Sequence, residues 1–126
     1  MGGNQAMIAA GIGFSSTCSI AELEALLAST GARIDALATP SAKAATSVVI
    51  ALAARSGLKL CAIDAETLDA VQPLCVTRSD RAARETGIAS VAEGCALAAA
   101  GPGARLILPR IASRHATCAL AEGPGA

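Results

Sequence analysis

Short apolar runs that alternate with capped helical segments set the frame for this chain. Met7–Gly13 has the length and apolar content of a strand. It is followed by Ser19-Ile20-Ala21-Glu22, the S-x-x-E pattern that opens a helix, running here to about Thr30 and stopped by Gly31. Ile34–Thr39, closed by Pro40, and Leu58–Ile63 repeat the strand signal. Between them Ser41 to Arg55 is apolar nearly all round and ends at Gly57, which predicts one buried helix. Asp64 caps a short helix that stops before Pro73, Gln72–Thr77 reads as an extended connection, and Ser79 opens a further short helix through Thr86. Ser90 caps Val91–Ala100, which Gly101-Pro102-Gly103 ends, and Arg105–Leu108 and Thr117–Ala121 are the last strands. Strands separated by helices imply an α/β domain whose sheet of about five strands is mainly parallel or mixed and covered on both faces, with the closing pair antiparallel.

The 126 residues suit a single domain, with 1–5 and 122–126 expected to fray, and the 53% apolar content is ample for a core. Phe14 is the only aromatic residue and the formal net charge is zero, so neither base stacking nor a broad phosphate-binding surface is expected: no nucleic acid. Charge is uneven, with four basic against six acidic residues over 1–71 and six basic plus His115 against four acidic over 72–126. Cys18, Cys61, Cys75, Cys95 and Cys118 lie far apart without zinc spacing, which reads as free thiols in a reducing cytosol, with no metal and no cofactor expected. No leader-like start and no apolar run of membrane-spanning length is present, so a cytoplasmic protein with no membrane partner is expected.

Ligands of open α/β sheets favour the crevice beyond the carboxyl ends of the strands. Gly11-Ile12-Gly13-Phe14-Ser15-Ser16 there reads either as a turn whose glycines let an anion approach the backbone or as a tight turn and nothing more. The third glycine of a dinucleotide fingerprint is missing, since Ser16 stands in its place. Lys43 falls in the first turn of the expected Ser41 helix, where the macrodipole disfavours a cation; it is a functional candidate or a snorkelling surface lysine. Glu93 is explained by the capping box Ser90-Val91-Ala92-Glu93, with general acid as the competing role. Arg110, Arg114 and His115 form a basic cluster suited to a polycarboxylate or simply an exposed rim. No acidic, Ser or Cys neighbour of His115 announces a triad by its spacing, and catalytic residues stay unassigned.

The series "GIGF", "LATPSAKA", "TGIASVAEGCALAAAG" and "LILPRIASRHATCALAEG" resembles, in order and spacing, the CobE family of cobalamin biosynthesis, also found as the C-terminal domain of CbiG. The resemblance covers nearly the whole chain, and the stretch with Gly87, Ser90, Val91 and Glu93 is its most specific part. It implies a three-layer α/β/α fold and a role in making the corrin ring. Size places the chain with the stand-alone CobE form, thought to bind or hand over corrinoid intermediates. CbiG, in contrast, opens a precorrin lactone and releases acetaldehyde. Relatives commonly carry a Cys and Arg after the Gly13 position, where Phe14-Ser15-Ser16 stands here, and a Lys where this chain has Arg110. The expected ligand is a corrinoid or precorrin intermediate, with other cobalamin-pathway enzymes as further partners. The expected contacts are Gly11, Gly13, Phe14, Ser15, Lys43, Gly87, Ser90, Glu93, Arg110 and His115. A precorrin lactone hydrolase and a nucleotide-binding domain are the alternatives.

Overall fold

The computed structural model describes residues 6–75 and 91–125. Five strands, β1 (Met7–Phe14), β2 (Ala36–Pro40), β3 (Lys59–Ile63), β4 (Arg105–Ala112) and β5 (Ala116–Gly123), form one sheet in the order β3-β2-β1-β5-β4. β1, β2 and β3 are parallel neighbours, whereas β5 runs antiparallel to both β1 and β4, so the sheet is mixed. Among the described residues the α-helices are α1 (Ile20–Ala28), α2 (Ser47–Ser56), α3 (Ala65–Ala70) and α4 (Val91–Ala100).

Strand alternation divides the core in two. Ala10, Ile12 and Phe14 of β1 pack with Leu23 and Leu26 of α1, Val49 and Leu52 of α2, and Cys118 and Leu120 of β5. Ala9 faces the other way, towards Leu68 of α3, Cys95, Ala96 and Leu97 of α4, and Ala121 of β5. The result is a three-layer α/β/α domain. Among the described residues no helix is long and apolar enough to cross a membrane.

Caps follow the sequence closely where they are local. The Ser19 side chain accepts from the Glu22 N–H at 3.1 Å and Asp64 accepts from the Thr67 N–H at 2.7 Å, each satisfying an orphan donor of a first turn. Gly57 ends α2 with φ 68°, a left-handed conformation that a side chain would strain.

Three expectations are corrected. Ser41 to Arg55 is not one helix: Ser41–Lys43 forms a 3-10 turn after Pro40, Thr46 adopts an extended conformation, and α2 starts at Ser47. Nor is α2 buried all round, since Ile50 is 49% exposed and only Val49, Leu52 and Ala53 face inward. Gln72–Leu74 is a 3-10 turn rather than an extended link, with the Gln72 amide donating back to the Leu68 carbonyl at 3.0 Å. Glu122 and Gly123, placed in a fraying tail by sequence, pair with Ile8 and Met7 as the end of β5. The expected helix from Ser79 and the Ser90 cap lie outside the described residues.

Candidate functional site

The glycines of the first motif lie inside β1, not in a turn beyond it. Every residue from Met7 to Phe14 pairs with β5, and the Ser15 N–H continues the ladder to the His115 carbonyl at 2.9 Å. A Cβ on Gly11 would stand 1.9 Å from the Ala92 carbonyl oxygen and 2.5 Å from the Ala96 nitrogen. A Cβ on Gly13 would meet the Thr117 hydroxyl at 2.7 Å. Gly11 thus lets α4 lie directly on the sheet, whereas the missing side chain at Gly13 leaves room for the Thr117 hydroxyl of β5. The turn proper is Ser15 to Ser19, where Ser15, Ser16 and Thr17 are exposed and the Ser15 and Thr17 hydroxyls are 3.0 Å apart.

Phe14 closes β1 at the rim with its ring buried in the core, 7% exposed. The Lys43 ammonium donates to the Phe14 carbonyl and stands 4.8 Å from the ring centroid. The 3-10 turn thus removes the dipole conflict expected for Lys43 and ties its head to the end of the neighbouring strand. Beside it, the buried Thr39 hydroxyl donates to the Ile12 carbonyl at 3.2 Å.

Glu22 is the residue that sequence reasoning assigned wrongly. Its backbone N–H is capped by Ser19, but its side chain leaves the cap and crosses to the β4–β5 turn. There its carboxylate accepts from the Ser113 hydroxyl, from the His115 N–H at 2.6 Å and from the His115 ring at Nδ1, 2.9 Å away. The Ser113 hydroxyl, then the two His115 bonds, hold the Glu22 carboxyl down at about 2, so it stays ionised at neutral pH. Burial, followed by the Glu22 charge, raises the thiol of nearby Cys18.

Glu93 and Arg110 meet on the other face of the sheet. Pairing of β4 with β5 shifts register between Leu108 and Ile111, where Pro109 and Arg110 intervene. Such an irregularity leaves a ladder group without its strand partner. The carboxylate of Glu93, fully buried in α4, accepts the Arg110 N–H at 2.9 Å. The Arg110 residue is half-buried.

The rim therefore gathers Phe14, Ser15, Lys43 and His115 around the carboxyl end of β1, with Arg110 further back on the α4 side. Gly87 and Ser90 lie outside the described residues. Ion pairing sorts the cations. Arg33, Arg55 and Arg105 pair with Asp35, Glu24 and Glu122. Lys43, Arg110 and Arg114 have no carboxylate partner among the described residues; Lys59, at the amino end of β3, is likewise unpaired. None of the five cysteines forms a disulfide, and burial pushes the Cys95 and Cys118 thiols up to about 12. Among the described residues no cluster of three His, Cys, Asp or Glu side chains could hold a metal ion.

The sequence pattern of the family described as "Cobalamin synthesis G C-terminus" matches residues 8–121. The chain belongs to that family. It is a cobalamin biosynthesis protein of the CobE/CbiG C-terminal type. It is 39% identical over 88 residues to Protein CobE of a Sinorhizobium species; the match takes in 70% of this chain and 56% of that protein, so it spans little more than half of the relative's length. Among solved structures, CobE from the cobalamin (vitamin B12) biosynthetic pathway superposes with a TM-score of 0.82 at 32% identity, covering 93% of this chain and 90% of that one. The cobalamin biosynthesis protein chiG of Agrobacterium tumefaciens gives a TM-score of 0.73 at 33% identity, over 91% and 97% of the two chains. A cobalamin biosynthesis protein G homologue from Sulfolobus solfataricus shares the fold at 23% identity, with a TM-score of 0.72 over 93% of this chain and 37% of its own.

Proposed function

We propose that this chain binds a corrinoid or precorrin intermediate at the carboxyl-end rim of its sheet and passes it to other enzymes of the cobalamin pathway. The observation that carries the reading is the sorting of cations. Three arginines elsewhere are ion-paired, while among the described residues Lys43, Arg110 and Arg114 have no salt-bridge partner, and the Glu22 carboxylate at this rim is already occupied by Ser113 and His115. Corrin precursors bear several acetate and propionate arms around an apolar ring, and unpaired cations beside exposed hydroxyls are what such arms require. The kinship with proteins named for cobalamin biosynthesis supports the same chemistry.

The test is a visible-absorbance and calorimetric titration with hydrogenobyrinic acid, with NAD as control. Saturable binding with a stable spectrum is the expected result, and absence of binding contradicts the reading. A second reading, a precorrin lactone hydrolase, is favoured by the Glu22–His115 pair, since a carboxylate-held imidazole is the usual form of a general base. Acetaldehyde release from a precorrin lactone would decide for it.

A further inference from the structure

Glu22 spends both carboxylate oxygens on the β4–β5 turn. Oε2 takes the Ser113 hydroxyl and the backbone N–H of His115, and Oε1 takes the ring. The residue is thus fixed twice, by main chain and by imidazole, and its carbonyl is fixed a third time by the Ser15 N–H. His115 keeps 34% of its side chain exposed, and Nε2 has no hydrogen-bond partner among the described residues. A histidine that donates from Nδ1 to a carboxylate is held in one tautomer, with Nε2 as the atom left for chemistry.

We propose that Glu22 is a positioning residue that clamps His115 by Nδ1, so that Nε2 is the ring atom presented to a carboxylate-bearing macrocycle at the rim. The inference rests on the binding function proposed above and adds to it the atom that makes the contact. Lys43 is held on the Phe14 carbonyl, the Cys18 thiol is buried and pushed up, and Arg114 is the exposed neighbour of His115 in the turn.

His115 is the only histidine of the chain, so one imidazole spin system reports the arrangement without assignment. The experiment is a long-range 1H–15N correlation spectrum of the 15N-labelled protein, free and titrated with hydrogenobyrinic acid. The expected result is a ring that donates from Nδ1 to Glu22 in the free protein and also donates from Nε2–H to a probe carboxylate once the probe binds, with the Nε2 resonance moving to saturation. Glu22→Gln, which keeps one carbonyl acceptor, is expected to weaken probe affinity less than Glu22→Ala. His115→Ala is expected to lose roughly tenfold, the scale of one charge-assisted hydrogen bond.

An Nε2-protonated tautomer in the free protein overturns the clamp. Saturable probe binding that leaves Nε2 unmoved overturns the contact while the binding function stands. An Nδ1-protonated ring with no probe binding overturns the binding function and the contact with it. Because the first measurements use the unaltered chain, a variant that fails to fold does not obscure the outcome.

Discussion

Glu22, at the first turn of α1, accepts both the backbone N–H and the ring Nδ1 of His115, a residue 93 positions further along the chain. This contact sews α1 to the β4–β5 turn and shapes the rim beside Ser15.

It also makes the fold sensitive to acid. The Glu22 carboxyl sits at about 2 in the folded chain against an ordinary 4.5, and a depressed carboxylate adds stability that is complete above the unfolded value. That contribution is lost as pH falls from 4.5 towards 2. Urea unfolding of the unaltered chain and of Glu22→Gln should show the unaltered chain ahead at neutral pH and the gap closing across that window. A gap independent of pH would deny the ionised carboxylate its role.

Gly11→Ala is expected to destabilise the fold by about 1–3 kcal/mol or more, because its Cβ would meet backbone of α4 rather than a yielding side chain. Thermal unfolding measures it. A variant of unchanged melting temperature would mean that α4 lies further from β1 than described.

Glu93→Ala should cost about 1–3 kcal/mol, since it leaves the Arg110 N–H without its acceptor inside the α4–β4 contact. Glu93→Gln keeps an acceptor oxygen and should cost less. Chemical denaturation of both variants checks the order, and equal losses would assign the effect to the negative charge instead of the hydrogen bond.

Lys43→Ala and Arg110→Ala are each expected to weaken binding of hydrogenobyrinic acid by roughly tenfold; Arg110→Ala should change stability little, as Arg110 is not ion-paired among the described residues, whereas Lys43→Ala should cost about 1 kcal/mol for its bond to the Phe14 carbonyl. Calorimetry at two salt concentrations measures it. Undiminished affinity in a folded variant removes that residue from the site.

Local rules made much of the fold legible. The Ser19 and Asp64 caps, the Gly57 terminus and the apolar runs of β1, β2 and β3 each act within a few residues, where sequence and structure speak the same language. Reading failed where a distant partner decided the matter. The S-x-x-E pattern at Ser19 accounted for Glu22 so well that its real partners in the β4–β5 turn stayed hidden. The two glycines of β1 looked like a turn because nothing in their spacing reveals the α4 backbone lying against Gly11 or the Thr117 hydroxyl lying against Gly13. Ser41 to Arg55 looked like one helix because its composition is helical throughout; Pro40 and the attachment of Lys43 to Phe14 divide it. At the site, the cation-bearing segments around Lys43, Arg110 and His115 were visible from charge alone, but which cations lack carboxylate partners is a property of the folded chain.

The most direct measurement is calorimetric titration of hydrogenobyrinic acid into the unaltered chain and into the triple variant Lys43→Ala, Arg110→Ala, His115→Ala, with folding of both verified by circular dichroism. Saturable binding to the first and none to the second is the predicted result. Equal binding to both, or no binding to the unaltered chain, would contradict a corrinoid site at the carboxyl-end rim.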